Sequence, residues 1–232
     1  MFVKTGLSLT LETTAIALVL LAGVVLRFRQ YLTLRSFWVD EAMLALNIVN
    51  RNFLDLFKPL DYDQGAPIGF LLIEKLFNVL LGRNELVLRL FPLTLGLLSL
   101  WIFYLLLKRF TNGAGLVIAV ALFSLNPRLV YYSSEVKQYI GDVFIAIALL
   151  LIAVDLLEQP SRKRLGSLAL IGIPAFWFSY PSLFILAGIG TTLLSLFIQK
   201  RDFANLKLTL GMGFVWLINV WLLYSLTLRD LQ

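Results

Sequence analysis

Two adjacent carboxylates, Asp40 and Glu41, are the residues of this sequence best suited to acid–base chemistry. Neighbouring helical positions are about 100° apart, so one side chain can face a substrate while the other orients a loop or binds a cation. Near an apolar boundary, burial and mutual repulsion favour the protonated form of such a pair, which suits a general base that accepts a proton from a hydroxyl. We predict both as catalytic residues. The alternative is an acidic pair at a helix N-terminus, where negative charge is favoured in any case.

A second group of polar residues, Glu135, Lys137, Tyr139 and Asp142, lies between two apolar stretches. Glu135 and Asp142 are seven positions apart, which predicts that they share one helical face. Lys137 can hold a phosphate while a carboxylate binds an ion or a sugar hydroxyl, and Tyr139 can stack on a sugar ring. Asp142 falls inside a predicted span, where an unpaired charge is costly and a function or a partner is the default expectation. The alternative is a hydrated loop with interfacial anchors.

The composition limits where these groups can act. Of the 232 residues, 59% are hydrophobic and 15% charged, and the mean hydropathy is +0.87, which indicates an integral membrane protein. The absence of Cys and His excludes disulfides, thiolate metal sites and the commonest general base. The net charge of +6 is divided among short clusters instead of one basic face, so no nucleic acid partner is expected.

The apolar stretches predict an all-α, polytopic membrane protein with about seven transmembrane helices in a single domain, residues 1–232. The predicted spans are residues 13–31, 85–107, 115–131, 139–157, 166–177, 181–198 and 208–226. In the second span, Glu85 and Arg89 are four residues apart, so they can pair on one helix face.

Residues 32–83 are predicted to form an outer loop with interfacial helices. The first covers the stretch in which Trp38, Leu46, Val49 and Phe53 recur at helical spacing. The second covers residues 68–81, opened by Pro67, with a tilted span as the alternative.

Lys and Arg residues concentrate in alternate short loops, at residues 108–109, 161–164 and 199–207. The positive-inside rule places these loops and the N-terminus in the cytoplasm. The loops that carry Asp40, Glu135, Lys137 and Tyr180 then share the outer face of the membrane.

Four segments, taken in their order along the chain, carry a family resemblance. They are Trp38-Val39-Asp40-Glu41-Ala42, Ala66-Pro67, Leu88-Arg89-Leu90-Phe91-Pro92 and Tyr132-Ser133-Ser134-Glu135-Val136-Lys137-Gln138-Tyr139. Together they resemble the N-terminal half of the lipid-linked-sugar glycosyltransferases of the GT-C fold. The most similar group is glycosyltransferase family 39, which includes protein O-mannosyltransferases and the aminoarabinose transferases of lipid A.

The resemblance implies roles for individual residues. Asp40 corresponds to the acidic residue of the first outer loop, a base or an acceptor-orienting group, with Glu41 beside it. Glu135 or Asp142 matches the acidic position of the second outer loop, and Arg89 lies near the lipid phosphate. Family members continue into further spans, so the chain is expected to be the N-terminal part of a longer transferase.

The expected function is transfer of a sugar from a polyprenyl-phosphate donor to the hydroxyl of an unidentified acceptor, at the outer face of a bacterial plasma membrane. Membrane lipid is an expected partner. No cofactor is certain, and a divalent metal ion is an alternative to Lys or Arg as the cation. Two other functions stay open. One is a transporter or flippase-like bundle that uses Glu74, Lys75 and Asp142, and the other is an inactive, truncated relative that binds lipid or a partner.

Overall fold

A computed structural model of the chain describes residues 6–228, and the regular structure in this range is helical throughout. The predicted all-α class is confirmed. The α-helices are α1 (Gly6–Leu32), α2 (Val39–Asn50), α3 (Ile68–Leu81), α4 (Glu85–Leu107), α5 (Gly113–Ser124), α6 (Pro127–Tyr132), α7 (Tyr139–Glu158), α8 (Arg162–Phe178), α9 (Ser182–Gln199) and α10 (Phe203–Leu223). Two 3₁₀ turns, Asp55–Phe57 and Asp61–Asp63, separate α2 from α3, and a π-helical turn, Tyr224–Leu228, follows α10.

Within the described residues, five helices are long and apolar enough to cross a membrane, namely α1, α4, α7, α9 and α10. The chain is a multi-pass membrane protein, as the composition predicts. The predicted number of seven spans is not confirmed. α8 is 17 residues long and contains Pro174, and the predicted span over residues 115–131 is divided between α5 and α6.

The division between α5 and α6 has a local cause. Pro127 has no N–H to continue the hydrogen bonds of α5, and the side chain of Asn126 accepts from two backbone N–H groups of α6 as its N-cap. Helix α5 therefore ends after 12 residues, at Ser124. Arg27 of α1 satisfies the carbonyl left free there, since its Nη1 donates to Ser124 O (2.9 Å).

The helices alternate in direction around a central pair, α4 and α7. Helix α1 packs on α4 and α5, while α8, α9 and α10 form a second group beside α7. Buried aliphatic and aromatic side chains form a continuous core through α2, α3 and α7 to α10. Because the connections are short, α4, α7 and α9 begin at the end of the bundle where α1, α8 and α10 finish.

The segment between α1 and α4 matches the predicted outer loop and contains both of the predicted helices, α2 and α3. Helix α2 buries Leu44 and Ile48, whereas Trp38 and Leu46 are exposed. Lys75 of α3 donates from Nζ to the carbonyls of Ile48 and Val49, both at 3.0 Å. These bonds cap the C-terminus of α2 and fix α3 against it. The placement of the two helices at a membrane surface stays a prediction.

Candidate active site

The charged residues predicted for the site meet at one end of the bundle. Tyr31, at the end of α1, donates its hydroxyl to Leu86 O at the start of α4 (2.8 Å). Tyr180, between α8 and α9, donates to Ala66 O just before α3 (3.1 Å). These bonds hold the segment between α1 and α4 against the ends of the long helices. Here lie five residues that we call the charged cluster: Arg35, Asp40, Glu41, Glu135 and Lys137.

Glu41 is fully buried, and protein donors occupy both of its oxygens. Oε2 accepts from Arg35 Nη1 (2.8 Å) and from the backbone N–H of Trp38 (3.1 Å), while Oε1 accepts from the backbone N–H of Val136 (3.0 Å). A Glu at the third helical position that reaches back to the N-cap N–H is half of a capping box. The carboxylate thus joins the start of α2 to the α6–α7 connection, and its geometry suits a positioning residue.

Asp40 has a different environment from its neighbour. Its side chain is 44% exposed, and Oδ2 lies 3.3 Å from the Nζ of Lys137, which is only 7% exposed. The same Nζ donates to Gln64 Oε1 (2.8 Å), in the loop before α3. Lys137 thus joins the start of α2, the loop before α3 and the α6–α7 connection. Asp40 is the more exposed carboxylate of the adjacent pair.

Glu135 is 6% exposed, and its Oε2 has no hydrogen-bond partner within residues 6–228. Burial, reinforced by the charges of Glu41 and Asp40, raises the pKa of Glu135 to about 7, although Arg35 and Lys137 act in the opposite direction. A carboxyl with a pKa near neutrality can give or take a proton in the physiological range.

Arg89 contacts the charged cluster through Arg35. Arg89 is fully buried and donates from Nη2 to Arg35 O (2.6 Å), with its guanidinium 4.7 Å from the centre of the Phe37 ring. The predicted pair with Glu85 is present at 3.7 Å. Arg35 lies 4.1 Å from the centre of the Tyr131 ring. Sequence reasoning missed Arg35 as a site residue, although a cation six positions before Glu41 was a usable signal.

Asp142 and Tyr139 lie at the start of α7, beside the cluster. The prediction that Glu135 and Asp142 share a helical face is wrong, because α7 begins at Tyr139 and Glu135 precedes it in a non-helical turn. Asp142 is half-buried next to the Ser179 hydroxyl, and Tyr139 packs on Tyr132 with ring centres 5.1 Å apart. The ring of Tyr139 remains partly exposed.

The predicted basic loops lie at the opposite end of the bundle. Arg109, which follows α4, pairs with Asp155 (2.5 Å) and Glu158 (2.8 Å) near the end of α7. Arg164 of α8 donates to the carbonyls of Asp155 (2.7 Å) and Gln159 (3.0 Å). The charged cluster and these basic residues are therefore separated by the length of α4 and α7.

An apolar cavity of about 300 Å³ lies between α3, α4, α7 and α8. Its lining includes Phe70, Phe91, Phe144, Pro174 and Phe178. The lining also includes Gly141, the residue before Asp142. Phe178 is the residue before Ser179.

Residues 6–228 contain no group of three or more His, Cys, Asp or Glu side chains placed to hold a metal ion. The cation next to Asp40 is Lys137.

No protein-family model matches this chain, and comparisons with curated proteins and with solved structures found no match either.

Proposed function

We propose that this chain is a membrane glycosyltransferase that moves a sugar from a polyprenyl-phosphate donor to an acceptor hydroxyl at the outer face of a bacterial plasma membrane. The observation that carries the proposal is the pairing of Asp40 with Lys137 at 3.3 Å, on segments far apart in sequence. Transfer from a sugar phosphate needs a proton acceptor for the hydroxyl and a positive charge for the departing phosphate. The two side chains supply this combination.

In the proposed inverting reaction, the acceptor oxygen forms a bond to the anomeric carbon while the bond from that carbon to the phosphate oxygen breaks. The electron pair of the broken bond leaves with the phosphate. Asp40 takes the proton of the acceptor hydroxyl, and its 44% exposure allows an acceptor to approach. Lys137 neutralises the charge that develops on the phosphate.

The remaining predicted residues have supporting roles in this proposal. Glu41 holds the start of α2 against the α6–α7 connection, so that Asp40 and Lys137 keep their separation. Arg89, which was expected near the lipid phosphate, is fully buried and supports Arg35 through its carbonyl. It acts as a positioning residue in the proposed site. Tyr139 is exposed enough to stack on the sugar ring.

A polyprenyl chain requires an apolar surface close to the charged cluster. The cavity between α3, α4, α7 and α8 has an apolar lining, which includes four phenylalanines and one proline. Gly141, which precedes Asp142 at the start of α7, lines this cavity, and in the proposal Asp142 binds a sugar hydroxyl. The donor would then lie with its chain among the helices and its phosphate at Lys137.

The transporter alternative also has one favourable observation. Glu74 is fully buried in α3, and neither of its oxygens has a partner among the described residues. Lys75, another of the three residues of that alternative, is instead bonded to the carbonyls of Ile48 and Val49. An inactive relative would keep the charged cluster and transfer no sugar.

The proposal is tested by Asp40→Asn in membranes that contain the chain. Donors are polyprenyl phosphates carrying a hexose or a pentose, and the measured quantity is the polyprenyl phosphate released. We expect the rate to fall about 100-fold or more, because the proton acceptor is lost. Asp61→Asn is the control, since Asp61 pairs with Arg51 (2.9 Å) and is 64% exposed. Full activity in Asp40→Asn would refute the proposal, and lipid counterflow without sugar release would favour the transporter.

A further inference from the structure

Lys137 is held by two partners of unequal strength. Its Nζ donates to Gln64 Oε1 at 2.8 Å and lies 3.3 Å from Asp40 Oδ2. The longer contact is the one to the charged partner. An ammonium group has three N–H donors, so Lys137 retains one donor beyond these two contacts.

The two sides of the ion pair differ in freedom to move. Lys137 is 7% exposed and is fixed by Gln64, whereas Asp40 is 44% exposed. The other oxygen of Asp40, Oδ1, is buried and has no hydrogen-bond partner in the described part of the chain, so no second bond holds the carboxylate in place. A rotation of Asp40 toward solvent would break one contact, while a movement of Lys137 would break two. Asp40 is therefore the side chain that a competing anion can displace.

We propose that Asp40 is an internal anion that pairs with Lys137 in the empty site, and that the phosphate group of a lipid-linked substrate displaces it. This inference rests on the proposed function, in which that phosphate group is the phosphate of the polyprenyl donor. Donor binding would then release the Asp40 carboxylate toward the acceptor hydroxyl. Before a donor binds, Asp40 is paired with Lys137 and is less able to take the proton of an acceptor hydroxyl, so the pair acts as a lock on the order of binding.

The lock makes a prediction about binding that needs no sugar transfer. Asp40→Asn removes the competing charge, so sugar-free polyprenyl phosphate in phosphatidylcholine nanodiscs should bind the variant about 5-fold more tightly than wild type, the effect of one partly exposed ion pair. Lys137→Gln should weaken binding about 10-fold or more, because a hydrogen bond from a charged donor is lost. The double variant should bind as weakly as Lys137→Gln.

Matched variants and probes make the result specific. Asp40→Ala must also bind more tightly, since it removes the same charge without adding an amide. Asp61→Asn removes a carboxylate of the same loop that pairs with Arg51 and should bind as wild type does. Inorganic phosphate and phosphatidylglycerol nanodiscs serve as further probes. If Asp40→Asn also binds inorganic phosphate more tightly than wild type does, by the same factor, the site recognises the phosphate group alone. If only the affinity for polyprenyl phosphate increases, the site recognises the lipid-linked anion. Both outcomes support the lock.

Binding by Asp40→Asn that is equal to or weaker than that of wild type would overturn the lock, as would absence of binding to either protein. Binding and sugar release together separate a failure of the lock from a failure of the proposed transferase function. Wild-type sugar release with unchanged binding in Asp40→Asn would reject the lock and keep the transferase. Tighter binding without any sugar release by wild type would keep the anion competition and reject the transferase.

Discussion

Asp40 and Glu41 are adjacent residues in the first turn of α2, yet one is partly exposed and the other is fully buried. The difference follows from their positions at the start of α2. Glu41 is the third helical residue, from which a carboxylate can reach the N-cap N–H of Trp38. Asp40, one position earlier, points away toward Lys137. The sequence placed both carboxylates at the site, but their division of roles depends on Val136 and Arg35, which only the fold brings near.

Glu135 predicts a dependence of stability on pH. Its pKa is about 7 in the folded protein, raised from an ordinary value of 4.5, mainly by burial. The folded state holds its proton more tightly than the unfolded state does. The stability linked to that proton is therefore fully present below about pH 4.5 and is lost as the pH rises through about 7. We expect wild type to melt at a lower temperature at pH 8 than at pH 5.

The variant Glu135→Gln keeps the shape of the side chain and has no proton to lose. It should melt at the same temperature at both pH values, and a few degrees above wild type at pH 8, given ~2–4 °C per kcal/mol for a chain of this size. Asp61→Asn, in which a 64% exposed carboxylate is replaced, should retain the wild-type dependence. A pH dependence of equal size in Glu135→Gln would assign the effect to another group. Melting in detergent, followed by tryptophan fluorescence, provides the measurement.

At the level of elements, Glu41 joins α2 to the segment between α6 and α7, because its carboxylate accepts a hydrogen bond from the backbone N–H of Val136. Glu41→Ala would leave that N–H unpaired and Arg35 without its buried partner. Removal of one member of a buried ion pair costs ~3–5 kcal/mol, about 10 °C in melting temperature for a chain of this length. We also expect faster hydrogen exchange at the Val136 amide, measured by mass spectrometry on peptides that cover residues 133–138.

Glu158→Ala is the control for this prediction. Glu158 pairs with Arg109 at the other end of the bundle, and both side chains are well exposed, so its loss should cost less than ~1 kcal/mol. Exchange at Val136 should not change in that variant. If Glu41→Ala left exchange at Val136 unaltered, the bond between α2 and the α6–α7 connection would not be a determinant of the site.

Helix boundaries show which part of the fold was predictable. Asn84, Ser161 and Asp202 each accept from a backbone N–H at the start of α4, α8 and α10, and such N-caps can be recognised in the sequence. The break at Asn126 and Pro127 was missed because the apolar residues on both sides were counted as one span. The compensating contact from Arg27 could not be predicted, since it depends on how α1 packs against α5.

At the level of the whole molecule, the predicted convergence of separate loops depends on alternating helix directions. The charged cluster lies at one end, and the pairs of Arg109 with Asp155 and Glu158 lie at the other. The apolar stretches and the basic loops of the sequence were sufficient to predict which loops lie at the same end of the bundle, because each span reverses the direction of the chain. The contacts inside the cluster were not predictable, since they join residues 35–41, 64 and 135–137 through the packing of loops.

The orientation of the molecule in the membrane gives the last prediction. Reporters fused after Arg109 and after Lys200 should both be active in the cytoplasm, because the loops rich in Lys and Arg are retained there. A reporter inserted after Gln64, in the loop that contacts Lys137, should be active outside. Paired alkaline phosphatase and fluorescent protein fusions measure both sides. A cytoplasmic signal after Gln64, with outside signals after Arg109 and Lys200, would reverse the orientation. The charged cluster would then face the cytoplasm, and a donor and acceptor at the outer face could not reach Asp40.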